Sequence, residues 1–257
     1  MKDRGEYSKE TPEGDNIHLK AFRHKGIYGL ALFLGLCTAL FTFMMLEADD
    51  FSQMASAAST TMLLGMLVAP LLTQIVDGKA LGSLKNEVSF GLSRGRIYWG
   101  KLLAGLMLGL VLCLLLLGSY LLVGWLALPH YSREADLVAL AVVGFSLLGA
   151  LPVWCGIYSL CHMMALLIPS TAAWMAFYYI LSFFGQPVLV ALAAMGTEGR
   201  VGSLIQAILM PASLLMPDFL SGWLTWEYQF WCWAVGIGWL VFTTALGLLW
   251  FRRREIK

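Results

Sequence analysis

Long apolar runs separated by short polar breaks organise this chain. The first run is Gly26 to Leu46, stopped by Glu47-Ala48-Asp49-Asp50. The second extends from about Met54 to Val76 and ends at Asp77-Gly78-Lys79. A polar stretch to Lys101 follows, then the Leu-rich third run, Leu102 to Leu128, closed by Pro129-His130-Tyr131-Ser132-Arg133-Glu134. The fourth run is Leu137 to about Leu160, and the fifth roughly Met163 to Phe184, with only Cys161-His162 between them. After a less apolar segment, 185–228, the sixth run goes from about Gln229 to Phe251. About 20 helical residues cross a hydrocarbon core of about 30 Å. The pattern therefore predicts an all-α integral membrane protein with six transmembrane helices. One membrane domain, 26–251, lies between a polar leader, 1–25, and a basic tail, 252–257.

Composition agrees. The chain of 257 residues is 59% hydrophobic and 13% charged, with a mean hydropathy of +0.75. Soluble domains run at about 45–50% apolar and about 25% charged, which excludes a soluble enzyme, a disordered chain and a secreted disulfide scaffold. The net charge of +1 gives no basic field for nucleic acid.

Lys and Arg set the orientation. Six lie in the leader, five in the loop after the second run and four in the tail, 15 of the 17 in all. Positive charge concentrates on the cytoplasmic side, so both termini are expected there, as an even span count also requires. The leader and first run do not read as a cleaved signal peptide, because the apolar run is too long and an acidic cluster follows it. Cys37, Cys113, Cys155, Cys161 and Cys232 have no metal-ligand spacing and read as small buried hydrophobes.

Segment 77–101 is the most informative. Leu81, Leu84, Val88 and Leu92 recur at spacings of three, four and four, one face of a short amphipathic helix. Ile97-Tyr98-Trp99 then enters the interface, where aromatic rings anchor. Two readings fit this pattern: a helix lying on lipid headgroups, or a docking helix for a cytoplasmic partner, with Glu87, Arg94 and Arg96 setting register.

The same segment carries Gly82-Ser83-Leu84-Lys85-Asn86, then Gly91-Leu92-Ser93-Arg94, then Ile97-Tyr98 and Lys101. This resembles the first cytoplasmic loop of ABC-type exporter permeases of the type-2 membrane-spanning family, in the Gram-positive peptide and drug exporter branch. Ser83 stands where that branch usually has Thr. The ending Phe251-Arg252-Arg253-Arg254-Glu255-Ile256 is also similar. The resemblance covers the whole chain in layout and about 25 residues in motif. It implies that the loop forms a coupling helix against a separate ATPase subunit, with Leu84, Lys85, Asn86, Glu87, Val88, Ser93, Arg94 and Arg96 as contact candidates. Two ATPase copies would bind ATP and Mg, and a second permease copy or a related permease would complete the assembly in membrane lipid. The implied location is the bacterial cytoplasmic membrane. The implied cargo is hydrophobic or amphipathic: a peptide such as an antimicrobial peptide, a drug or a lipid-like molecule.

Other signals carry less. Gly91-Leu92-Ser93-Arg94-Gly95 matches a hydrolase elbow in spacing but lies in a basic loop without a strand pattern. No phosphate-binding loop is present, so the chain is read as no enzyme, with no cofactor of its own. Asp, Glu, Lys and Arg are absent from the middles of the runs, which argues against proton- or ion-coupled transport. Thr60, Thr61, Thr73, Gln74, Thr171 and Ser182 are the polar candidates for a substrate pathway along spans two and five. Gly105 and Gly109 are expected to permit close helix packing. Pro70, Pro152 and Pro169 are expected inside spans two, four and five. Segment 185–228 is read as an outer re-entrant or interfacial hairpin. The competing classes are a non-transporting scaffold or sensor subunit and, less favoured, an intramembrane enzyme.

Overall fold

The computed structural model describes residues 25–77, 93–185, 188, 191, 200–215 and 225–253, and among them no strand occurs. Helix α1 is Lys25–Met45. Helix α2, Phe51–Thr60, continues through a 3-10 turn, Thr61–Leu63, into α3, Leu64–Asp77. Helices α4, Arg94–Ala127, and α5, Arg133–Leu167, have 34 and 35 residues. Helix α6, Thr171–Ile180, passes into a π turn, Leu181–Gly185. Helix α7, Arg200–Leu209, precedes a 3-10 turn, Pro211–Leu215. Helix α8 is Trp226–Arg253.

Five of these stretches are long and apolar enough to cross a membrane: Gly26–Met45, Phe51–Asp77, Arg94–Ala127, Arg133–Leu167 and Trp226–Phe251. At 1.5 Å per residue, α4 and α5 are each about 50 Å long, well beyond the roughly 30 Å hydrocarbon core. Large apolar side chains face outward along them, as with Phe33, Leu36 and Leu40 on α1 and Leu114 and Leu122 on α4. That arrangement suits a lipid solvent, in which backbone groups bond within helices and apolar surface carries no penalty.

Side-chain caps fix several helix starts. Asp50 accepts the Gln53 N–H at 2.9 Å before α2. Ser132 accepts the Ala135 N–H at 3.4 Å before α5, whose first turn also carries Glu134 and Asp136 against the helix dipole. Ser170 caps α6 through the Ala173 N–H at 3.3 Å.

The sequence places a boundary at Cys161-His162, and the structure corrects it. Helix α5 runs unbroken through that pair to Leu167. The break falls at Ile168–Ser170, where Pro169 disfavours helix in the residue before it and Ser170 starts the next one. Pro169 therefore lies in an exposed turn rather than within a span, whereas Pro70 and Pro152 are inside helices as expected. The expected fifth span is, among the described residues, the shorter apolar stretch Thr171–Gly185. The third run likewise starts its helix earlier, at Arg94, inside the expected loop.

Helix α5 is central. It packs along α8 and against α2, α3 and α4. Its contact with α8 is parallel and repeats every two turns. Gln229 Nε2 donates to the Phe145 carbonyl at 2.7 Å, Gly236 lies on the Pro152 backbone, and Thr243 Oγ1 donates to Ser159 Oγ at 2.7 Å. The approach is close because both helices present glycine. A Cβ on Gly156 would sit 2.8 Å from the Gly236 carbonyl oxygen. Since α5 and α8 run in the same direction, the chain between them has to return from one end of the bundle to the other.

Gly105 and Gly109 do serve close internal packing. Tyr158 of α5 lies against Gly105, and Leu72 of α3 comes within 3.3 Å of a Cβ placed on Gly109. The cysteines are less uniform than expected: Cys161 and Cys232 are buried, Cys113 and Cys155 half-buried, and Cys37 is exposed.

Candidate functional site

Two places bring polar or open features together. The first is the end of the bundle from which segment 78–92 emerges. Asp77 closes α3, and its Oδ2 lies 2.5 Å from Nδ1 of His162 on α5. Both side chains are fully inaccessible. The Tyr98 ring meets the imidazole edge-on at 4.6 Å, and Tyr158 lies parallel to it at 6.4 Å. The hydroxyls of Ser159, Thr243 and Thr244 form a buried chain beside them, with Ser159 Oγ 3.0 Å from Thr244 Oγ1. Among the described residues, Asp77 Oδ1 and His162 Nε2 are buried without a hydrogen-bond partner. Burying polar groups without partners is costly, and such groups in a native fold call for a specific reason.

After segment 78–92, Arg94 Nη1 donates to the Phe251 carbonyl of α8 at 3.3 Å. Tyr98 packs 6.4 Å from the Phe251 ring and fits over Gly247, where a Cβ would collide with its hydroxyl. The residues flanking segment 78–92 are thus tied into the bundle, Asp77 to α5 and Arg94 to α8. Lys101, one turn past Tyr98, is also buried.

Among the docking candidates, Leu84, Lys85, Asn86, Glu87 and Val88 lie outside the described residues. Ser93 is exposed and extended immediately before α4, Arg96 is exposed, and Arg94 is turned toward Phe251. The sequence missed the pairing of Asp77 with His162. Both residues stand at the edges of apolar runs and read as stop signals. Recognising Pro169-Ser170 as the true helix break would have placed His162 inside a span, where an ionisable side chain calls for a partner.

The second place is a cavity of about 350 Å³ between α1, α2, α3, α4 and α5. Among the described residues no charged side chain lines it. Of the pathway candidates, Thr61 is in its wall, with its hydroxyl donated to the Ala58 carbonyl at 2.7 Å. The others are dispersed. Thr60 is exposed and bonded to the Ala57 carbonyl at 2.8 Å, and Thr73 is buried and bonded to the Ala69 carbonyl at 2.9 Å. Gln74, Thr171 and Ser182 are half-buried at separate levels of α3, α6 and the π turn.

At the opposite end of the bundle, His130 bridges α4 and α5. Its Nε2 is 2.9 Å from the Trp125 carbonyl oxygen and its Nδ1 is 2.8 Å from Asp136 Oδ2. Two acceptors favour the doubly protonated ring. The Trp125 carbonyl first, then Asp136, raises the His130 pKa above the usual histidine value. Phe51 and Trp125 pack on the same ring.

Among the described residues no group of three His, Cys, Asp or Glu side chains could hold a metal ion. No protein-family model matches the chain, and no curated protein matches it in sequence.

Proposed function

We propose that this chain is the membrane-spanning permease subunit of an ATP-driven exporter of the ABC type. It would move a hydrophobic or amphipathic cargo outward from a bacterial cytoplasm, powered by a separate ATPase bound in two copies. ATP and Mg belong to that partner, and a second permease copy or a related permease completes the assembly.

The observation that carries this reading is the rooting of the 78–92 loop, whose residues resemble a coupling helix. A loop that passes force from an ATPase into spans needs stiff attachments at both ends. Asp77 bonded to His162 and Arg94 bonded to Phe251 are attachments of that kind, reaching α5 and α8. The parallel run of α5 and α8 supports a sixth crossing between them and so supports both termini on one side, together with the distribution of Lys and Arg. In this reading Leu84, Lys85, Asn86, Glu87, Val88, Ser93 and Arg96 face the ATPase, while Arg94 anchors the loop. Thr61 is the pathway candidate with an open volume beside it.

A gentle-detergent pull-down of the tagged protein from its own host tests the proposal. Recovery of a soluble chain with ATP hydrolysis supports it, and loss of that chain on Leu84→Glu or Val88→Glu places the contact on the loop. Recovery of the protein alone, without hydrolysis across several detergents, overturns it.

A further inference from the structure

The apolar cavity among α1–α5 is not absorbed by the loop chemistry. Its volume of about 350 Å³ is room for about a dozen groups at about 30 Å³ each, the share of one water molecule in the liquid. That suits one alkyl chain by volume, and the apolar wall disfavours a headgroup. Three polar side chains of its wall donate their hydrogen bonds within the protein. Thr61 donates to Ala58, Tyr120 to the Met54 carbonyl at 2.8 Å, and Trp154 to the Met62 carbonyl at 3.0 Å. The Tyr158 hydroxyl is pressed against the α4 backbone at Gly105. Water needs two to four polar partners to stay in a cavity, whereas a dry apolar cavity takes an apolar guest. The cavity also opens sideways. Cys37, Leu64 and Leu110 belong to its lining and are at the same time exposed on the outward apolar surface. The phase with access is therefore bilayer hydrocarbon.

We infer that this cavity is a binding site for a single acyl chain of a bilayer lipid, inserted between α1 and the α3–α4–α5 wall. Glycine and cysteine make the room. Gly109 of α4 and Cys155 of α5 line it with little bulk, so larger side chains from either wall would fill it.

The test uses the full chain in nanodiscs containing phosphatidylcholine with a diazirine at the end of one acyl chain. After photolysis, adducts are mapped by peptide mass spectrometry. Adducts are expected on wall residues around Gly109 and Cys155. They should be lost in Gly109→Leu and, independently, in Cys155→Phe. Adducts near Gly118, on the outward face of α4 where an added Cβ would meet no neighbouring element within 4 Å, should persist in both variants and report that the bundle still sits in the bilayer. Adducts confined to outward residues such as Leu36 and Leu114, or wall adducts unchanged by both substitutions, would overturn the assignment. So would wall labelling by the aqueous probe 4-azidobenzoate in place of the lipid. None of these readouts depends on the ATPase.

Discussion

Asp77→Ala removes one member of the buried pair at the loop root. The consequence follows from what is left behind. His162 Nδ1 loses its partner at 2.5 Å, while its Nε2 already has none among the described residues. The ring would then sit inaccessible to solvent with both nitrogens unsatisfied. Breaking a buried pair costs about 3–5 kcal/mol in soluble proteins. Polar side-chain bonds inside membrane bundles average only about 0.6 kcal/mol, because the unfolded helices find other partners in lipid. The soluble figure is the better guide here. Asp77 ends its helix next to the polar segment 78–92, so on unfolding its carboxyl group reaches water rather than a partner in lipid. Neither partner is exposed in the fold, so no screening discount applies. The expected cost is about 3 kcal/mol, the low end of the range. The double variant Asp77→Leu with His162→Leu should recover most of it, since replacing both partners by apolar groups of similar volume is near neutral. Reversible unfolding in mixed micelles of Asp77→Ala, of the singles Asp77→Leu and His162→Leu, and of the Leu double variant measures both numbers, the last three closing a double-mutant cycle with wild type. A single variant within about 0.5 kcal/mol of wild type, the ordinary range of a surface change, or a cycle without coupling, would refute the reasoning.

Other predictions concern the rest of the bundle. The raised pKa of His130 means its ring binds a proton more tightly in the fold than in the unfolded chain. Its stabilisation is therefore present in full below the unfolded value of about 6.5 and is lost as pH rises through the higher folded value. Melting temperature against pH should fall across that window in the wild type and flatten in His130→Gln. Gly236→Ala should cost about 1–3 kcal/mol by overpacking, because its Cβ meets the Pro152 backbone, whereas Gly118→Ala has open space and should be neutral or slightly stabilising. Thermal unfolding of the two variants side by side checks that contrast. Charge placed at Leu84 or Val88 should release the proposed ATPase without lowering the melting temperature of the purified permease.

The sequence by itself determined the membrane class and most of the long helices. Lipid demands uninterrupted apolar runs with internally satisfied backbones, and such runs are visible residue by residue. Lys and Arg counts set an expected orientation for the same reason, since charge near a bilayer is read locally. Tertiary structure decided what depends on partners far apart in the chain. Asp77 and His162 each look like the end of a run, and only the packing of α3 on α5 turns them into a buried pair. Gly105, Gly156 and Gly236 look alike in sequence, yet they receive a tyrosine, a carbonyl and a proline backbone. The boundary at Pro169 was misplaced because a histidine in an apolar run reads as polar until its partner is known. The cavity could not be foreseen, because empty space arises from five helices failing to meet, and no single helix records that.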